Sequence, residues 1–233
     1  MKTHPATRSA VSAFTLIELI TVIAIIAILM ALLFPALSGA KEAARRNKAG
    51  TVVRNIVNAC KNYSTDYGKY PPVAEALEGG TGQAADATLS FGDTTEGRCK
   101  VNNNELFDVL RAIARGANEN HVLNKRQQKY FEEAKATDPK NPREGFCDGR
   151  EFEDDQQGRL MDPWGTQYCV VLDADGDETL KMSDFFNDMT EPLRFSAVSF
   201  SLGKNAKIGG KGYEGRLKKA KSNEASEDIV SWQ

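Results

Sequence analysis

Few side chains in this sequence have the type and spacing that catalysis needs. The only histidines of the 233 residues are His4 and His121, and no two cysteines are spaced as Cys-x-x-Cys. His-rich zinc sites and Cys-x-x-Cys redox or zinc motifs are therefore not predicted. The sequence also shows no nucleophile elbow and no phosphate-binding loop in a suitable context. We predict that the chain is not an enzyme and requires no cofactor.

Three aspartates at alternate positions, Asp173, Asp175 and Asp177, could bind calcium, which prefers carboxylate oxygens. They resemble the start of an EF-hand loop, although Gly176 lies at the fourth position and Asp184, not Glu, at the twelfth. Asp and Gly also favour turns for backbone reasons alone. A calcium site and a turn between two strands both remain open.

The cysteines could form disulfides if their domain lies in an oxidising compartment. Four cysteines allow three full pairings, and sequence spacing does not choose among them. Buried free thiols are the alternative. The residues concerned are Cys60, Cys99, Cys147 and Cys169.

One carboxylate stands in an apolar segment. Residues 14–34 contain a single charge, Glu18, and as a helix these 21 residues would span roughly the 30 Å of a bilayer core. A carboxylate is costly in lipid and normally needs a partner. Neither a plain membrane anchor nor a secretory signal peptide, for which Ser38-Gly39-Ala40 is an acceptable cleavage site, requires an acid here.

Positive charges flank this segment on both sides. Lys2 and Arg8 precede it without any acid, which favours a cytoplasmic N-terminus and an exported remainder. The cations that follow it argue mildly for the opposite orientation. They are Lys41, Arg45, Arg46 and Lys48.

Residues 13–20, Ala-Phe-Thr-Leu-Ile-Glu-Leu-Ile, resemble the prepilin processing motif of the type IV pilin superfamily. The resemblance implies that a leader, residues 1–13, is removed by prepilin peptidase between Ala13 and Phe14 and that Phe14 is then N-methylated. It also implies that Glu18 pairs with the terminal amine of a neighbouring subunit during assembly. Ala13 stands where the family usually has Gly, and Pro35 where many members have a helix-kinking proline.

The helical pattern continues beyond the apolar segment. Apolar residues recur at spacings of three and four between residues 36 and 67, and Gly68 with Pro71 then favours an end to the helix. We predict one helix over residues 14–70, membrane-spanning in 14–34, followed by a globular head over 71–233. The apolar face consists of Val53, Ile56, Val57, Cys60, Tyr63 and Tyr67.

The head mixes helix and strand patterns. Residues 79–97 are rich in Gly and Thr and are predicted to form a loop. Residues 105–116 are predicted to form a short amphipathic helix, and residues 124–136 are helix-prone. Strands are predicted at 168–172, around Leu180 and at 193–202. Such an antiparallel meander needs a covering layer on one face, which the long helix supplies. The predicted fold class is α+β and pilin-like.

Two short motifs resemble the major pseudopilin of type II secretion. They are Asp162-Pro163-Trp164-Gly165, followed by Tyr168, and the segment Asp228–Trp232. The resemblance implies a calcium loop after the last strands. Its ligands would be Leu202, through its carbonyl, with Asn205 and Asp228; Asn205 stands where an acid is expected.

The balance of 30 basic and 32 acidic residues, a net charge of −2, argues against a nucleic-acid-binding protein. The motifs together favour a structural subunit that waits in the inner membrane, is processed by prepilin peptidase and joins a homo-oligomeric filament through an inner-membrane platform. A type II secretion pseudopilin is preferred over a type IV pilin for adhesion, motility or DNA uptake. The alternative of another class is an exported ligand- or calcium-binding domain behind an ordinary signal peptide.

Overall fold

A computed structural model describes residues 15–73, 88–94, 99–183, 185–186, 189, 191–206 and 228–232. The chain divides into two compact units, residues 1–44 and 45–233. The predicted cleavage site, Ala13–Phe14, lies outside the described residues.

The first helix, α1, comprises Leu16–Tyr67 and begins in the first unit. Its large apolar side chains from Leu16 to Phe34 are all between 47% and 75% exposed. Among the described residues, α1 is the one helix that is long and apolar enough to cross a membrane. The helix does not end at Pro35, and a kink there stays a prediction.

The second part of α1, from residue 45, carries the predicted apolar face. Val53, Ile56 and Cys60 are fully buried, whereas Arg54 and Lys61 are exposed. The helix ends at Tyr67 because the next residue, Gly68, leaves the helical conformation at φ +73°, while its N–H still donates to the carbonyl of Ser64 at 2.8 Å. A positive φ is readily adopted only by glycine, so this residue is suited to terminate a helix.

A four-stranded antiparallel sheet lies against this part of α1. Its strands are β1 (Thr88–Phe91), β4 (Cys169–Asp173), β5 (Ala197–Ser201) and β6 (Ile229–Val230), in that spatial order. Phe91 pairs with Val170, Leu172 with Ala197, and Phe200 with Val230. Between β1 and β4 the chain forms a short helix, α2 (Asn103–Leu110), and a two-stranded sheet of β2 (Gly145–Phe146) and β3 (Leu160–Met161). This arrangement confirms the predicted α+β, pilin-like fold class.

Apolar residues cover both faces of the sheet, whereas the sequence predicted a covering layer on one face. Val170 and Leu172 pack with the apolar residues of α1, whereas Val171 and Phe200 point into a second cluster. The second cluster is completed by a segment that the sequence suggested as a strand but that forms a single bridge, Leu180 to Leu193. Strands buried on both faces lack the apolar–polar alternation of a half-exposed sheet.

Two further local predictions were wrong. Within the described part of residues 79–97, Thr88–Phe91 is a strand, since its backbone pairs with β4. Residues 124–136 form no α-helix: Tyr130 and Phe131 donate their N–H groups to Leu110, and Ala136 to Phe146. These long-range bonds replace the local bonds of a helix, although Phe131 is buried as expected.

A buried ion pair joins α2 to the segment that follows it. Asp108 is fully buried, and Arg115 donates from Nε and Nη2 to its two carboxylate oxygens at 2.7 and 2.6 Å. A Cβ at Gly158 would overlap the guanidinium, so the glycine leaves the space that the pair occupies. Burial raises the pKa of Asp108 from 3.8 to about 6, against the hydrogen bonds from Arg115.

Replacing Arg115 with Met is expected to lower the free energy of unfolding by about 3 kcal/mol at pH 7.5, because a buried carboxylate loses its partner. A raised pKa means that the contribution of Asp108 to stability is present at low pH and is lost as the pH rises through about 6. The loss in R115M should therefore be smaller at pH 5, where Asp108 can take up a proton. Urea unfolding of the detergent-solubilised chain at both pH values measures this.

The matched control is Arg126→Met, since Arg126 is 60% exposed and pairs with Asp66 at 3.1 Å on the surface. In R126M the free energy of unfolding should fall by less than about 1 kcal/mol, and this decrease should change little with pH. Equal losses in the two variants, or a loss in R115M that is independent of pH, would contradict the role given to Asp108.

Candidate functional site

Glu18, the acid of the apolar segment, is held by the residue that precedes α1. The N–H and the hydroxyl of Thr15 donate to Glu18 Oε2 at 2.8 and 2.7 Å, and the N–H of Glu18 donates to Thr15 Oγ1 at 3.3 Å. This reciprocal arrangement is a capping box, in which the first residue and the fourth satisfy each other's free backbone groups. It places an exposed carboxylate at the positive end of the helix dipole.

Thr15 is a residue that the sequence reasoning missed. The signal that could have identified it is Thr-x-x-Glu directly before an apolar run, which is typical of a helix N-terminus. Because Thr15 orients the carboxylate from within the same chain, Glu18 has a defined direction before any neighbouring subunit approaches. Its pairing with the amine of Phe14 on another subunit stays a prediction.

Asp162, the first residue of the Asp-Pro-Trp-Gly motif, organises a tight turn in the second unit. It is fully buried, and its Oδ1 accepts the N–H groups of Trp164, Gly165 and Thr166 at 2.8–2.9 Å. Its Oδ2 accepts the hydroxyls of Thr166 at 2.5 Å and of Ser201 at 2.7 Å. A single carboxylate thus accepts five hydrogen bonds and links the turn to the last residue of β5.

The closing segment, Asp228–Trp232, contains β6, which pairs with β5 along the edge opposite β4. Val230 pairs with Phe200, the N–H of Ser231 donates to the carbonyl of Ser199 at 3.0 Å, and Trp232 lies edge-on to Phe200 at 6.2 Å. The two motifs that resemble a pseudopilin therefore both contact β5. They act structurally in this chain, one as a turn and the other as an edge strand.

The three aspartates at 173, 175 and 177 lie together, with one carboxylate oxygen of each within 4.8 Å of the others. Asp173 accepts the N–H groups of Gly176 and Glu178 at 2.8 Å, and Asp177 accepts that of Thr179 at 2.7 Å. Burial raises the pKa of Asp173, against these hydrogen bonds. Both sequence interpretations fit: the geometry is that of a turn, and calcium binding here stays a prediction.

The other predicted calcium ligands lie near the end of β5 and before β6. Leu202 precedes the 3-10 turn Gly203–Asn205, and Asp228 directly precedes β6. Most of the connection between them, residues 207–227, is outside the described residues. Calcium binding by Leu202, Asn205 and Asp228 therefore stays a prediction.

Comparison with protein families agrees with the N-terminal geometry. A family model described as the prokaryotic N-terminal methylation motif matches residues 8–34, which contain the predicted cleavage site, Thr15, Glu18 and the apolar part of α1. The N-terminal segment of the chain is therefore type IV pilin-like, which supports the type IV pilin-like superfamily. No curated protein and no solved structure gives a significant match to it. The family match lies within the first unit, so the pilin-like assignment rests on the N-terminus and on the fold class.

A type IV pilin-like N-terminus explains why a single acid lies at the start of an exposed apolar helix. An apolar helix with exposed side chains needs a membrane or other helices around it, and its single acid needs a positive partner. The predicted cut before Phe14 would expose a free amine, which is the positive partner that the sequence resemblance implies. The motif implies a membrane-anchored, envelope-associated structural subunit.

Proposed function

We propose that this protein is the filament-forming subunit of a pseudopilus of the type II secretion class. The observation that carries the proposal is the capped Glu18 at the start of an exposed apolar helix, within a prokaryotic N-terminal methylation motif. Before assembly the helix lies in the inner membrane and the head in the periplasm. After assembly the helices form the centre of the filament.

Assembly exchanges one apolar surrounding for another. In the membrane the side chains of residues 16–34 contact lipid; in the filament they contact neighbouring helices, so that extraction need not expose them to water. The amine of Phe14 on one subunit pairs with Glu18 on the next. Because a buried charge without its partner is strongly destabilising, this pair selects one axial register between subunits.

The Asp162 turn and the Trp232 segment favour a pseudopilin over a type IV pilin. Their contacts with β5 support the idea that the resemblance reflects a shared head structure. The alternative, a type IV pilin for adhesion, motility or DNA uptake, uses the same N-terminus. Two experiments distinguish a pseudopilin from a type IV pilin. One is purification of the filaments, and the other asks whether secretion or surface adhesion fails in cells that lack the protein.

The partners follow from the same chemistry. They are prepilin peptidase, an inner-membrane assembly platform, membrane lipid before assembly and further copies of this chain. Calcium remains a candidate ligand of the head rather than a requirement for assembly.

The mature N-terminus tests the proposal. In a membrane fraction we expect a chain that begins at Phe14 and carries one additional methyl group, measured by intact mass and N-terminal sequencing. A soluble chain that begins at Lys41 would indicate an ordinary signal peptide, and a chain that retains residues 1–13 would indicate a plain anchor. Either result would overturn the proposal.

Two matched variants distinguish the predicted prepilin cleavage site from the alternative signal-peptidase site. Ala13→Leu enlarges the residue before the predicted cut and should leave the leader attached. Ala40→Leu makes the same change at the alternative signal-peptidase site and should leave the Phe14 terminus unchanged. The opposite pattern would assign the processing to signal peptidase.

A further inference from the structure

The four cysteines are buried thiols, and they are distributed over three apolar clusters. Cys60 belongs to the cluster between α1 and the sheet, and Cys147 packs with Ala136 and Phe152. Cys99 and Cys169 lie together in the cluster on the opposite face of the sheet. Cluster membership therefore favours one of the possible cysteine pairs.

Cys99 and Cys169 are also in direct contact. The Cys99 thiol donates a weak hydrogen bond to Cys169 Sγ, with a separation of 3.8 Å between the sulfurs. A disulfide bond is about 2.0 Å long, so the two sulfurs must approach by about 1.8 Å for the bond to form. The two residues are 3% and 5% exposed.

A glycine provides the space that the two thiols fill. A Cβ built at Gly92, the residue after β1, would lie 2.7 Å from Cys99 Sγ and 2.9 Å from Cys169 Sγ. Real Cβ atoms do not approach other atoms so closely, and any side chain here would displace both sulfurs. Gly92 and Cys99, which are close in sequence, thus meet Cys169, which lies 70 residues beyond Cys99.

We propose that Cys99 and Cys169 form the disulfide of this protein, linking the connection between β1 and α2 to β4. The thiolate of one cysteine attacks a disulfide of an oxidant, either an oxidised dithiol protein of the envelope or oxidised glutathione, and releases the first reduced thiol. The other thiolate then attacks the mixed disulfide, which forms the Cys99–Cys169 bond and releases the second reduced thiol. In net, two electrons and the two thiol protons pass from the cysteines to the oxidant, whose disulfide becomes two thiols. Cys60 and Cys147 stay reduced.

The buried position dictates when this reaction occurs. The contact with Cys99 and the burial of both groups raise the pKa of Cys169 well above its ordinary value, so little thiolate forms in the closed fold. Oxidation accordingly takes place during folding or transient opening. Once formed, the bond joins positions 70 residues apart and should raise the thermal midpoint of the second unit by roughly 10 °C over the reduced form.

The test uses the purified full chain, so its outcome does not depend on the export assumed in the proposed function. Reduced protein in detergent is incubated in a glutathione redox buffer with enough urea to open the fold transiently, and the urea is then removed. After acid quenching, unfolding and alkylation, peptide mapping should show Cys99 linked to Cys169 in most molecules, with Cys60 and Cys147 alkylated.

Three variants separate this pairing from its alternatives. The double variant C60A/C147A should form the same link, whereas C99A should leave Cys169 alkylated. Gly92→Ala, which retains all four cysteines, should lower the yield of the link at least severalfold. Alkylation of all four cysteines after this incubation, or a link between any other two, would overturn the proposal.

Discussion

Replacing Glu18 with Ala is expected to abolish filament assembly while leaving removal of the leader and folding of the second unit unchanged. The acid lies at the start of the apolar helix, and the filament would bury the amine of the neighbouring subunit beside it. Without the acid that amine has no counter-charge, which costs about 3 kcal/mol or more per contact. The equilibrium constant for adding one subunit should fall by more than about 100-fold.

The measurement is the amount of sedimentable filament, with the mature N-terminus determined on the same membranes. A processed, membrane-bound E18A chain that does not sediment is the expected result. Normal filaments from E18A would contradict the role of the carboxylate. Loss of processing in E18A would instead move that role to recognition by the peptidase.

The capping box supplies two controls that separate position from charge. Glu18→Gln keeps a side chain that can accept the Thr15 hydrogen bonds, because Gln also serves in capping boxes, but it removes the charge. Thr15→Val keeps the charge and removes the hydroxyl, at a cost of about 1 kcal/mol to the helix end. E18Q should therefore fail to assemble and T15V should assemble. If T15V fails and E18Q assembles, orientation rather than charge is the essential property.

The second large effect is expected at the buried turn. Asp162→Ala would leave five hydrogen-bond donors without their acceptor, three of them backbone N–H groups and two of them hydroxyls. Several unsatisfied groups in one buried site should lower the free energy of unfolding by about 3–5 kcal/mol. Thermal unfolding of the solubilised chain should then begin about 10 °C lower. A domain of ordinary stability would lose a large part of its free energy of unfolding.

The matched control for D162A is Asp177→Ala, which removes another turn aspartate that accepts hydrogen bonds from Thr179 but lies in an exposed position. That loss should stay below about 1 kcal/mol, because water replaces the missing acceptor. Asp162→Asn, which keeps the shape and one acceptor oxygen, should lie between the two. Similar midpoints for D162A and D177A would show that the turn does not support the sheet.

The two sites differ in what they depend on. Glu18 and Thr15 are three residues apart, so their contact arises within a single helical turn. Asp162 and Ser201 are 39 residues apart and meet only when the turn docks on β5. Substitutions at Glu18 should therefore impair filament assembly, whereas substitutions at Asp162 should impair folding of the head.

Local periodicity was sufficient for much of this protein. The apolar segment, the one-sided second half of α1 and its end near Gly68 were all predicted correctly, because each depends on residues within a few turns of one another. The strand at 168–172 was also predicted, since its β-branched and apolar residues form a continuous run. The N-terminal motif is local too, which is why the pilin-like assignment needed no structure.

Other features arise from contacts between residues that are distant in sequence, and no local sequence pattern predicts them. Residues 124–136 have helix-prone side chains, yet their N–H groups pair with Leu110 and Phe146, which lie elsewhere in the chain. β1 is a strand because β4 is present to pair with it, and Asp162 receives its fifth hydrogen bond from β5. Four cysteines allow several pairings in the sequence, and packing on one face of the sheet brings just Cys99 and Cys169 together. The helix and its acid follow from short-range chemistry, whereas the head depends on long-range pairing that only the folded chain establishes.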